Sequence, residues 1–233
     1  MRLTILLALL TCLQPFVAAA QESSPFPSVP INAETLWIQA EADQLYERAN
    51  YERAFSIYHD ELAPLGDKYG QYMVGFMYLA GNGVPEDRVA ASAWYRLATE
   101  RGTREFVRTR DRLVKALALD AEQKSESDRM FIELRKEYGD LALVMEAACV
   151  DQKLLQERTG SRLSVSNSAL LIVHPGHIAS TQTGEQYYGE IEQRLHARLE
   201  FIAAATNIDI TDINKMDFST LESKVDQHLE ELD

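Results

Sequence analysis

The chain has 233 residues, 46% of them apolar, and 36 acidic against 23 basic residues give it a formal net charge of −13. That length and apolar share are enough for one sizeable core or an elongated stack, while so acidic a surface excludes unaided nucleic-acid binding and repels anionic lipid headgroups. Two cysteines, Cys12 and Cys149, exclude a disulfide framework, so an apolar core has to hold the chain together.

The first twenty residues, MRLTILLALLTCLQPFVAAA, join one positive charge at Arg2 to an apolar run and close on Ala18-Ala19-Ala20. This is the pattern of a secretory signal cleaved near Ala20, which predicts a periplasmic or secreted protein. Removing Arg2 takes the net charge to −14. Cys12 is preceded by Thr11 where a lipobox wants Gly, Ala or Ser, and apolar residues continue beyond it, so lipid anchoring is disfavoured. It leaves with the signal, so Cys149 has no internal partner and reads as a small buried apolar residue. No later run approaches eighteen apolar residues, and no stable membrane insertion is expected. Residues 21–33 carry Pro25, Pro27 and Pro30 among serines, an extended linker with Asn32 as a helix cap.

Helical periodicity then takes over. The first helix is expected over 34–49, with Ile38, Ala42, Leu45 and Ala49 on one face. Asn50 turns the chain into a second helix over 51–63, whose inward face is Tyr51, Ala54, Phe55, Tyr58 and Leu62. Gly66 and Asp67 mark the next turn and cap. Helices follow at 68–80 and 87–101, then 103–118, 124–137 and 140–157. Helices of this length with short joints predict antiparallel hairpins stacked side by side. Residues 158–186 are richer in Gly, Ser and Thr. Their best strand candidate is 170–174, with 161–166 as a weak hairpin partner. Helix returns over 187–206 and 217–232. The expected organisation is a signal at 1–20, a linker at 21–33, a repeat region at 34–102, capping helices at 103–157, an irregular loop at 158–186 and terminal helices at 187–233.

Residues 66–102 read GDKYGQYMVGFMYLAGNGVPEDRVAASAWYRLATERG. Gly70, Val74-Gly75 and Tyr78 precede Gly81, Gly83, Val84 and Asp87; Ala91, Trp94, Tyr95, Ala98 and Gly102 follow. In this order and spacing the segment resembles the Sel-one-like repeat, a relative of the tetratricopeptide repeat. It departs from that pattern at Val74, where Leu is usual, and at Gly70 and Thr99, where Ala is usual. Gly75 and Ala91 would let paired helices approach closely, and Tyr78 and Trp94 would fill the space between hairpins. Gly81 and Gly83 would permit backbone angles closed to other residues, and Asp87 would cap the following helix. Residues 35–66 resemble a degenerate tetratricopeptide unit through Ala42, Leu45, Tyr51, Ala54 and Tyr58. After Gly102 the pattern fails, which predicts a short all-α stack of about two hairpins whose open end is covered by the helices at 103–157.

In such stacks the first helix of each pair lines a concave groove. The resemblance therefore implies a partner-binding wall of Gln39, Asp43 and Tyr46 from the first pair and Tyr69, Tyr72 and Phe76 from the second. An aromatic groove edged with acid suits a protein or peptide carrying basic residues. The alternative is that these aromatics pack against the capping helices. The chain lacks G-x-S-x-G, a phosphate loop, H-E-x-x-H and Cys-x-x-Cys. His174-Pro-Gly-His177, with His196 or a carboxylate as a third ligand, is the one arrangement that approaches a metal site, and its Pro-Gly reads as a turn. The expectation is an exported adaptor that binds protein and has no cofactor or catalysis of its own. The rivals are a cell-envelope hydrolase or metal-dependent enzyme with its site in 158–233, and a module used for self-association.

Overall fold

The computed structural model describes residues 33–100, 102, 104–160, 171–173 and 181–231. The expected leader at 1–20, the expected linker at 21–33 apart from Ala33, the Asn32 cap and the His174/His177 pair lie outside them. The first hairpin is α1 (Ala33–Glu47) and α2 (Tyr51–Ser56), the latter continued by a wide π turn at Ile57–Leu62 and a tight 3-10 turn at Ala63–Leu65. The second is α3 (Lys68–Ala80) and α4 (Arg88–Ala98). Then come α5 (Arg104–Ala116), α6 (Ala121–Tyr138), α7 (Asp140–Gly160), strands β1 (Leu171–Val173) and β2 (Thr181–Thr183), α8 (Gly184–Thr206), α9 (Ile210–Ile213) and α10 (Phe218–Glu231). The fold is all-α: a short helical-hairpin stack with capping helices and one small two-stranded hairpin.

The helix expected over 51–63 does not stay regular to its end. Pro64 has no N–H for an i→i−4 bond and its ring crowds the carbonyl four residues back. The preceding turn widens, and Ala63 N–H donates to Tyr58 O, five residues behind. The helix expected over 87–101 ends sooner, at Ala98. There Thr99 Oγ1 donates back to the carbonyls of Tyr95 and Arg96, both at 3.0 Å, competing with the backbone ladder. Leu171–Val173 pairs antiparallel with Thr181–Thr183, Leu171 opposite Thr183. The expected partner segment, 161–166, lies outside the described residues; the described pairing is with Thr181–Thr183.

Two apolar clusters organise the chain. The first joins α1 to α4, with Ala54, Tyr58, Leu62, Val74, Met77, Ala91 and Leu97 buried and Phe131, Leu134 and Tyr138 of α6 packed against it. At its centre α3 and α4 touch across Gly75. A methyl group there would lie 3.1 Å from the Tyr95 ring and 3.2 Å from Trp94 Cβ, so helices this close admit only a hydrogen. The Asp87 carboxylate accepts from the amides of Val89 (2.8 Å) and Ala90 (3.0 Å), capping α4. Rings run across the stack in a row: Tyr78 stands edge-on to Phe55, Phe55 lies on His59, His59 meets Trp94, and Trp94 stacks on Tyr138 at 5.8 Å.

The second cluster joins Leu141, Val144, Met145 and Ala148 of α7 to Leu195, Leu199 and Ile202 of α8, Ile213 of α9, and Leu221, Val225 and Leu229 of α10. Asp151, buried on α7, pairs with Arg194 at 3.0 Å and with Arg198, both on α8. This differs from the expected cap: α6 covers the hairpins, while α7 belongs to the terminal bundle. The reason is its sequence, where Leu141, Val144, Met145 and Ala148 fall on one stripe that only another apolar stripe satisfies.

Candidate interaction surface

Spacings of four and three put Gln39, Asp43 and Tyr46 on one face of α1, and Tyr69, Tyr72 and Phe76 share a face of α3. The structure brings the two rows together along a seam between the hairpins, with Phe76 buried and the other five half-buried. Asp43 Oδ1 accepts from Tyr58 Oη at 2.5 Å and from Tyr69 Oη at 2.8 Å. Gln39 Nε2 donates to Asp67 Oδ2 at 2.9 Å, and the other oxygen of Asp67 caps α3 by accepting from Gly70 N at 2.6 Å. Tyr46 Oη accepts from Asn82 Nδ2 at 2.8 Å, and its ring stands against Tyr51 and Phe76. Phe76 is buried in the first core. Tyr72 is half-buried, 5.3 Å from the Tyr95 ring. Tyr46, Tyr69 and Phe76 therefore meet across the two hairpins, while Tyr72 rests on α4 of its own hairpin.

Burial pushes the hydroxyls of Tyr58 and Tyr69 well above the ordinary tyrosine range, and the Asp43 carboxylate adds to it. Burial likewise raises Tyr46, against the hydrogen bond from Asn82. All three stay protonated and serve as fixed donors or acceptors in the seam.

A buried charge cluster lies at the start of α3. Lys68 is only 6% exposed. Its Nζ lies 2.9 Å from Asp140 Oδ1 and 3.8 Å from Glu100 Oε2, and donates to Gln71 Oε1 and Leu97 O. Arg135 Nε holds the other Glu100 oxygen at 2.9 Å, and the Asp140 amide donates to Glu100 Oε2 at 3.0 Å. Gln71, fully buried, donates to the carbonyls of Ala63 and Tyr138. Two cations and two carboxylates thus tie α3, the end of α4, α6 and α7 together. Burial raises the Glu100 carboxyl, opposed by Lys68. This cluster is structural, and Lys68 gave no hint of it at the sequence level.

What the hairpins leave to solvent is the outer face of α1. Trp37 is 75% exposed and Leu36 48%. The Gln39–Asp67 bond sets the start of α1 beside the 65–67 turn, so exposed Leu65 lies at the same end of the hairpin. Glu41 and Gln44 continue the Trp37 face at helical spacing, and both are exposed, as are Glu47, Glu52, Asp60 and Glu61. Arg48 and Arg53 are the exposed cations of these helices, and Arg53 sits 3.8 Å from Glu41. The surface is an indole set in a carboxylate-rich field. Its signal was legible: Trp37 falls off the Ile38–Ala42–Leu45 stripe, which assigns it outward.

His174 and His177 lie outside the described residues. His196, their suggested third ligand, is on α8 with Nε2 3.2 Å from Glu200 Oε1, both exposed. Among the described residues no three or more His, Cys, Asp or Glu are grouped to hold a metal ion, and no helix is long and apolar enough to cross a membrane. Fold and surface together define a class, the all-α helical-hairpin stack with an exposed aromatic–acidic face. No family model matches the chain, and no curated protein or solved structure is significantly similar to it.

Proposed function

We propose that this chain is an exported adaptor of the Sel-one-like, tetratricopeptide-like kind, which holds a protein or peptide partner and performs no catalysis of its own. The observation that carries this reading is the outer face of α1, where Trp37 stands 75% exposed beside Glu41 on a helix fixed by the seam behind it. A large, rigid aromatic presented to water is the residue type that most often anchors protein interfaces. The surrounding carboxylates select partners with basic segments and speed their approach. The Sel-one-like characters at 66–102 build the platform: Gly75 and Ala91 at the helix contact, Asp87 at the cap, and Tyr78 and Trp94 in the ring row. The leader at 1–20 supports a periplasmic or secreted location.

The test is capture from envelope extract with three baits: wild type, Trp37→Ala/Glu41→Lys, and a Lys153→Glu/Lys224→Glu control on α7 and α10. Both pairs are exposed, so circular dichroism should be unchanged. A partner retained by wild type and control, released by salt and lost from the Trp37 variant supports the reading. Capture indifferent to Trp37 and Glu41 ends it. The same purified protein, sequenced from its N-terminus, should begin at Gln21.

A further inference from the structure

We propose that the cleft between α4, α5 and α6 binds a small anionic amphiphile, a molecule with a carboxylate or phosphate head on an apolar body. The cleft has a volume of about 600 Å3, within the roughly 300–1,000 Å3 typical of small-ligand sites. Its charge runs against that of the chain. Arg96, Arg110, Lys115 and Lys124 line it, against Asp111 and Asp128, in a protein of net charge −13. Both carboxylates are already matched, Asp128 by Arg96 at 2.5 Å and Asp111 by Arg110 at 2.7 Å. Lys115 and Lys124 make no ion pair among the described residues, so the cleft keeps two positive charges in excess.

A second, independent observation comes from its wall. Ser127 lines the cleft and is 2% exposed, yet its Oγ has no hydrogen-bond partner. Buried hydroxyls are nearly always satisfied because an unpaired one forfeits its hydration, and a ligand oxygen seated in the cleft would supply the missing partner. Apart from Ser92, the remaining wall is apolar. Val114, Leu119 and Phe131 line it, and the Arg96 guanidinium, 4.1 Å from the Phe131 ring centroid, fixes that ring in place. Inorganic anions would use only the lysines, and a neutral detergent only the apolar wall. An anionic amphiphile uses both, and that requirement distinguishes the site from a solvated cationic patch.

Isothermal titration of the purified chain with octyl phosphate, octanoate, inorganic phosphate and octyl glucoside, each below its micelle concentration, tests this. The two anionic octyl probes should bind saturably, inorganic phosphate about tenfold or more weakly, and octyl glucoside not measurably. Lys115→Glu/Lys124→Glu should weaken both anionic probes by about tenfold or more. Raising NaCl from low to molar concentration on the wild type should weaken them in the same direction, without any substitution. Absence of saturable binding by both octyl anions overturns the assignment. So does octyl glucoside or inorganic phosphate binding as well as octyl phosphate, or affinity that ignores both salt and the lysines.

Discussion

Gly81 and Gly83 both have left-handed backbone angles, φ +68° and +76°, but their surroundings differ, and the difference makes a quantitative test. At Gly81 an added methyl would find nothing nearer than Glu86 Cβ and N at 3.5 Å. Gly81→Ala should therefore cost only the left-handed strain, about 1–2 kcal/mol. At Gly83 the methyl would lie 2.5 Å from Tyr51 O, 2.6 Å from Tyr51 C and 2.8 Å from Glu52 N. Those are backbone atoms at the start of α2 and cannot rotate away. Gly83→Ala should cost the same strain plus an overpacking penalty of about 1–3 kcal/mol, for a total of about 2–5 kcal/mol. Urea unfolding followed by circular dichroism reads both values through the shift in midpoint at constant slope. Each kcal/mol should also lower Tm by about 2–4 °C for a chain this size. Two variants equal within error would refute the reasoning, because the second hairpin would then not rest on the backbone of the first at this point.

Four further outcomes follow. Lys68→Met takes the buried cation from Asp140, leaves Glu100 with Arg135 alone, and should cost about 3–5 kcal/mol in the same unfolding assay; a loss under 1 kcal/mol would mean that the cluster is hydrated. Because burial holds the Glu100 carboxyl above its ordinary value near about 4.3, the folded state binds that proton more tightly than the unfolded chain. Its contribution therefore weakens as pH rises from the ordinary value through the raised one. The stability of wild type relative to Glu100→Gln should fall over that window, and a rise would contradict the assignment. Trp94 is buried between His59 and Tyr138 while Trp37 faces water. Trp94→Phe should thus leave a red-shifted, easily quenched emission, and Trp37→Phe a blue-shifted, protected one. Burial together with Glu222 and Glu146 raises the Cys149 thiol, so iodoacetamide at pH 8 should label it more slowly than free cysteine, and denaturant should abolish the difference.

The helices were legible because apolar spacing is a local property. α3 occupies Lys68–Ala80, the 68–80 span that its periodicity and the Asp67 cap predict. α6 and α8 begin three residues before the expected 124 and 187, because two capping boxes start them, Asp120 with Gln123 and Thr183 with Gln186. Short α9 was missed altogether, although Asp209 accepts from the Thr211 amide at 2.7 Å to begin it. Cys149, expected to be buried, is half-buried at the edge of the second core. Periodicity correctly put Tyr69, Tyr72 and Phe76 on one face, but nothing in a face says what it meets. Tyr69 and Phe76 meet Asp43 and Tyr46 of α1, residues far along the chain, while Tyr72 meets Tyr95 of α4. Lys68 shows the same limit, since a cation in a first helical turn reads as solvated until Glu100, Arg135 and Asp140 are brought to it. At Gly83 the sequence predicts the backbone angle alone, while the closest constraint is the carbonyl of Tyr51.

Gly139 is the whole joint between α6 and α7, and it has no slack. Its φ is ordinary, −72°, yet a methyl there would fall 2.2 Å from Arg135 O, so the corner is set by steric contact. The next residue is locked to Glu100 through its amide. A loose tether would let two bundles choose their mutual angle anew with each encounter and lose that freedom on binding. Here the angle is settled as the chain folds, so a molecule that grips both bundles meets a ruler whose length was cut beforehand.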